Sequence, residues 1–206
     1  MEPEFTVSIG AVLFGGFELL DVFGPLEMFG LLEQRAKVTV IGQQKGSIVS
    51  SCGVSGFSDG TMAEAARFDV LLVPGGAGIR HQLSNPVFLA DLRRLAEGAG
   101  IVCTVCTGSA LLAKTGLLDA RKATTNKRVF KAIAAMAPKV NWQAEARWVE
   151  DEKFFTSSGV SAGMDMALAV IAKLFSTDVA LQIAAKAEYE WHRDSSWDPF
   201  SKLIMT

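Results

Sequence analysis

Two rhythms of apolar and polar positions alternate along this chain. "FTVSIGAVLF" (5–14), "KVTVIG" (37–42), "FDVLLVPGG" (68–76) and "IVCTV" (101–105) are near-continuous apolar runs rich in β-branched residues, the pattern of strands buried on both faces. Between them, "GPLEMFGLLEQ" (24–34) and "NPVFLADLRRLAEGAG" (85–100) place apolar residues at helical spacing. Pro25 suits a first turn, and Asn85 and Pro86 suit an N-cap and the position after it. The Gly/Ser-punctuated "GSIVSSCGVSGFSDG" (46–60) predicts a small hairpin. A helical pattern follows Cys106, then a short strand "KATT" (122–125) and a helix "NKRVFKAIAAMA" (126–137). "EARWVEDEKFFTSSG" (145–159) predicts two strands around an acidic turn, and "SAGMDMALAVIAKLF" (161–175) and "DVALQIAAKAEYEW" (178–191) two apolar-faced helices. With no internal repeat or linker, the alternation predicts one α/β domain over 1–206, its mostly parallel sheet covered by helices on both faces.

Composition narrows the partners. Half the residues are hydrophobic, a fifth are charged, and 22 acidic residues face 20 basic ones. No Lys/Arg block stands out, which argues against nucleic acid or an anionic membrane surface as partner. The start "MEPEFTVSIGAVLF" has no basic region before its apolar run, so no signal peptide is expected, and no run approaches the roughly 18 apolar residues of a membrane span. Three cysteines without disulfide-framework spacing fit a reducing, cytoplasmic setting.

The candidate chemistry starts at "VCTGS" (105–109), where a buried strand turns into a helix. In an open parallel sheet, ligands bind beyond the carboxyl ends of the strands. Cys106 therefore stands at the functional edge, beside the first free N–H groups of the next helix. Those groups stabilise a thiolate, so the position predicts a lowered thiol pKa. Small Gly108 and Ser109 let the helix start close to the strand, as in a nucleophile elbow. The plainer alternative is a buried cysteine packing as a small hydrophobe. "CTVC" also has redox-pair spacing, but residues three apart in a strand face opposite sides, which separates Cys103 from Cys106. Cys103 and Cys52 are expected to be structural, and His81 and His192 show no metal-ligand spacing. The glycines of "VPGGAG" (73–78) let backbone approach a ligand, or simply make a tight turn. No G-K-[ST] follows, so this is not a phosphate loop. In "FGGFELLDVFGP" (14–25), Asp21 sits among apolar neighbours, either as a local cap or as a carboxyl held over a pocket.

Taken together, "LDVFGPLEMF" (20–29), "DVLLVPGGAG" (69–78), "VCTGSALLAKTGLLDARKATTN" (105–126) and "SSGVSAGMDMALAVIAKLF" (157–175) resemble the ThiJ/PfpI superfamily, and within it the isocyanide (isonitrile) hydratase-like group. The resemblance covers nearly the whole chain. It implies a flavodoxin-like, class I glutamine-amidotransferase-like three-layer sandwich and a homodimer. It implies Cys106 as nucleophile, Asp21 as the acid beside its sulfur, and Thr107 as the residue following the nucleophile. It places an oxyanion or substrate pocket at the backbone of Gly75, Gly76 and Thr107. Asp in place of the Glu that many members carry favours the hydratase-like branch. One departure is Asn126, where members with a Cys-His arrangement carry histidine. Asparagine can hydrogen-bond but cannot serve as a base near neutral pH, which argues against peptidase and amidotransferase chemistry.

The expected function is therefore a cysteine-dependent lyase. It would hydrate a small-molecule isocyanide to an N-substituted formamide through a Cys106 thioimidate, with no cofactor or metal. The alternatives are a thiol redox or stress sensor, a glyoxalase-like protein using the same cysteine, and a ligand-binding module without catalysis. A regulator of the kind that joins such a domain to a helix-turn-helix is disfavoured by a chain ending at Thr206. The aromatic tail "YEWHRDSSWDPF" (189–200) is expected to dock on the domain or on a partner subunit, with His192 structural.

Overall fold

The computed structural model describes residues 6–204. Phe5, expected to open the first strand, lies outside the described residues. The strands are β1 (Val7–Val12), β2 (Ala36–Gly42), β3 (Gly46–Val49), β4 (Ser55–Ser58), β5 (Gly60–Thr61), β6 (Val70–Val73), β7 (Ile101–Thr104), β8 (Lys122–Ala123), β9 (Asn141–Trp142), β10 (Trp148–Asp151) and β11 (Phe154–Ser157). The α-helices are α1 (Leu19–Gly30), α2 (Ile79–Gln82), α3 (Pro86–Gly98), α4 (Gly108–Lys114), α5 (Phe130–Met136), α6 (Ala162–Leu174) and α7 (Thr177–Lys186).

Seven strands form the central sheet in the order β10-β11-β7-β6-β1-β2-β5. All neighbours run parallel except the β10–β11 hairpin. The apolar runs explain the centre, since every residue of β6 and β7 is buried. From β1 the chain crosses to β2 on one side, and from β6 it crosses to β7 on the other. Because such crossovers are right-handed, α1 and α3 fall on opposite faces. This is the expected α/β sandwich, and the order reverses between β1 and β6. Ligand sites of open α/β sheets lie at such a switch point.

The predicted hairpin is β3–β4, and Asn85 caps α3 by accepting the Phe88 N–H at 3.1 Å. Helix boundaries differ from expectation at α5, which begins at Phe130 rather than Asn126, and at α1 and α7. α1 begins at Leu19, not Gly24, so Pro25 lies inside it and Asp21 in its first turn. Proline disfavours a helical residue before it, which misplaced the start. α7 stops at Lys186, and Glu188 takes a left-handed φ of 48°, so residues up to Trp191 do not continue it. Instead the tail docks on its own domain. Tyr189 Oη and the His192 backbone N–H donate to Asp165 Oδ1, and Trp191 Nε1 donates to the Asp165 carbonyl. Buried Arg147 pairs with Asp165 at 2.6 Å and Asp198 at 3.5 Å. Among the described residues, no helix is long and apolar enough to cross a membrane.

Candidate active site

Three segments converge at the switch point: the first turn of α1, carrying Asp21, the loop after β6, carrying Gly75 and Gly76, and the β7–α4 junction, carrying Cys106 and Thr107. Cys106 has a left-handed φ of 58°, the strained elbow expected of a nucleophile. Ser109 Oγ and Thr125 Oγ1 both donate to its carbonyl, and its own N–H donates to the Ser158 carbonyl. The elbow requires glycine at 108: a Cβ there would lie 2.4 Å from the Val73 carbonyl oxygen.

Asp21 is fully buried. It does not cap its own helix. Its Oδ2 accepts the Gly75 N–H at 2.9 Å, across the switch point, and its Oδ1 has no hydrogen-bond partner. Gly75 is boxed in, since a Cβ would lie 2.4 Å from Thr107 Oγ1 and 3.1 Å from Asp21 Oδ2. The Gly76 N–H donates to Thr107 Oγ1 at 3.2 Å. The N–H groups of Gly75 and Gly76 are thus both engaged within the site.

The donors aimed at sulfur come from elsewhere. Asn126 Nδ2 donates to Cys106 Sγ at 3.1 Å, and the backbones at Thr107 and Val160 also favour the charged form of the sulfur. Sequence reasoning noted Asn126 only as a departure and missed Val160. The sole signal for Val160 is its place in "SSGVSAG", and a left-handed φ of 41° is not readable from a β-branched residue.

Burial dominates the electrostatics. It pushes the Cys106 thiol up to about 12, the nearby Asp21 charge pushes the same way, and the three donors act against both. The lowered thiol expected from sequence is therefore corrected: among the described residues no cation offsets the burial of the sulfur. Burial likewise raises Asp21 to about 7. The Gly75 N–H opposes this, Glu18 repulsion adds to it, and the Cys106 thiol lowers it. The thiol and carboxyl sense each other, yet no aligned hydrogen bond joins them and Oδ1 stays unpartnered.

The other cysteines do not converge on the site. Cys103 is buried, and desolvation raises its thiol well above the ordinary range. Cys52, expected to be structural, is exposed in the hairpin turn beside Ser50. Among the described residues, no three His, Cys, Asp or Glu side chains gather where they could hold a metal.

This arrangement can be compared with known proteins. The chain is 30% identical over 183 residues to isonitrile hydratase of Pseudomonas putida, covering 89% of this chain and 78% of that one. It is 26% identical over 149 residues to a deglycase of Thermococcus kodakarensis, covering 71% and 84%. A crystal structure of a ThiJ/PfpI family protein from Pseudomonas syringae superposes with a TM-score of 0.84 at 29% identity, covering 91% and 77%. The model of the DJ-1/PfpI family matches residues 7–173, which takes in the Asp21, Gly75 and Cys106 loops together, and the chain belongs to that family.

Proposed function

We propose that this protein is a Cys106-dependent isonitrile hydratase. One observation carries the reading: a fully buried Asp21 with an unpartnered oxygen beside the Cys106 thiol on its strained elbow. With Asp21 raised to about 7 and Cys106 to about 12, the pair holds one proton over the neutral range. That one proton is what addition to an isocyanide needs. Cys106 passes its proton to Asp21 as a sulfur lone pair attacks the terminal carbon of R–N≡C, and Asp21 delivers the proton to the same carbon. The product is a thioimidate, R–N=CH–S–Cys106. Water then adds to its carbon as Asp21 takes one water proton and returns it to the nitrogen; the C–S bond breaks as the remaining hydroxyl proton passes through Asp21 to sulfur, which leaves as the thiol, and R–NH–CHO is released. Thr107, whose hydroxyl accepts the Gly76 N–H, keeps its own O–H proton to offer to substrate nitrogen. Gly75 keeps the space between Asp21 and Thr107 open.

A peroxide sensor draws less support, because oxidation proceeds through the thiolate and burial keeps this thiol protonated. Two copies associate, on this reading, through the face where Leu20 and Phe23 of α1 stand exposed beside Val54 of the hairpin. Rapid acid quench under turnover, followed by intact-protein mass spectrometry, tests the intermediate. An adduct of the mass of the isocyanide on Cys106, absent from Cys106→Ala, supports it; turnover with no adduct on any cysteine removes the thioimidate.

A further inference from the structure

We propose that Asn126 is a catalytic residue of this site: its side-chain amide donates to the Cys106 sulfur and holds the negative charge that develops there whenever the thiol gives up its proton. The inference rests on Cys106 as the reacting group in the reading above.

The amide's orientation is determined by its surroundings. Oδ1 accepts the Arg128 N–H at 2.9 Å, which leaves Nδ2 facing the sulfur at 3.1 Å. The first bond is an ordinary cap of the turn that follows. The second serves no element of the fold, since sulfur is its acceptor. The loop beneath is fastened on every side. The Thr124 N–H donates to Thr156 Oγ1, and Thr125 Oγ1 donates to the Cys106 carbonyl. Lys127 Nζ, buried, donates to Thr124 Oγ1 at 2.7 Å and the Ala146 carbonyl at 2.6 Å. Opposite Nδ2 stands Gly159, where a Cβ would come within 2.8 Å of the amide nitrogen.

The chemistry follows from what an amide cannot do. Asn126 carries no charge and takes no proton near neutral pH. It stabilises the sulfur anion without competing with Asp21 for the one proton the addition needs. The same bond serves twice: as the proton moves to Asp21 during attack, and as the C–S bond breaks and sulfur departs. The backbones at Thr107 and Val160 act on the buried sulfur in the same sense, and like the amide they carry no charge.

The test reads the sulfur directly. Far-ultraviolet thiolate absorbance is followed against pH in the full chain, with Cys106→Ala as baseline, for wild type, Asn126→Leu and Asn126→Val. Both substitutions remove the donor and keep water away, and whichever folds, by circular dichroism, carries the test. The expected result is a Cys106 midpoint raised by at least about one pH unit, a tenfold loss of thiolate at pH values well below the wild-type midpoint and the scale of a hydrogen bond to a charged group. Isocyanide kcat should fall with it while KM holds. Thiolate unchanged or increased in a folded variant would overturn the proposal. If wild type turns over no isocyanide, the hydratase reading fails, and the thiolate comparison still decides the role of Asn126 at the sulfur.

Discussion

Asp21 and Cys106 are buried together, and that shared burial sets how the site responds to pH. Below about 7 the pair takes up a second proton, and sulfur loses the acceptor for its own. Isocyanide kcat/KM should therefore rise about tenfold per pH unit up to about 7 and then level. A profile that falls from pH 6 to pH 8 would contradict this proton count. Stability runs the other way. A carboxyl raised in the fold from 3.8 to about 7 favours folding only while protonated, so that contribution is full below 3.8 and lost as pH climbs through about 7. Asp21→Asn cannot ionise. Its stability relative to wild type should improve by a few kcal/mol between pH 4 and pH 8, while turnover drops by about 10²–10⁴. Denaturant unfolding at the two pH values reads the first effect; a constant gap would return Asp21 to an ordinary, unshifted carboxylate. Sequence alone pointed to both residues because Cys106 ends an apolar strand and Asp21 interrupts an apolar loop. It misjudged the thiol, because the position of a helix start is readable while the depth of burial is not. It also found Asn126 only by its difference from relatives, since a contact between residues twenty apart depends on the folded loop.

At the scale of elements, the elbow between β7 and α4 tolerates little change. Gly108→Ala would push a Cβ to 2.4 Å from the Val73 carbonyl and 2.8 Å from that of Pro74, both backbone atoms that cannot rotate away. The expected cost is about 1–3 kcal/mol, or several degrees in melting midpoint, with turnover reduced because Cys106 shifts too. A thermal scan that leaves the midpoint unchanged would show the strand and helix to be further apart than described. The strands of this region were legible because both faces are apolar, and the caps of α3 because Asn-Pro has one physical reading. The start of α1 was not, because the helix accepts Pro25 in its interior, which local rules forbid. The end of α7 was not, because the apolar residues after Lys186 bind Asp165 rather than continuing the helical face.

The whole molecule is tied at its far end by the Arg147 cluster. Removing one partner of a buried ion pair leaves the other uncompensated, so Arg147→Met should cost about 3–5 kcal/mol and free the tail. Limited proteolysis after residue 188 in the variant, but not in wild type, would report that release; equal resistance in both would show the tail held by its aromatic contacts. The tail's docking was legible from its aromatic content, its anchor was not, since Arg147 and Asp165 are eighteen residues apart and each looks like a surface charge in sequence. Light scattering should give twice the 22.0 kDa of one chain if the α1–hairpin face pairs two copies, and a single-chain mass would leave that face without its partner. The most direct measurement of the central claim is turnover of a panel of small isocyanides by wild type and Cys106→Ala. The account predicts N-substituted formamides from wild type and none above background from the variant. Formamide made equally by both, or by neither, would contradict it.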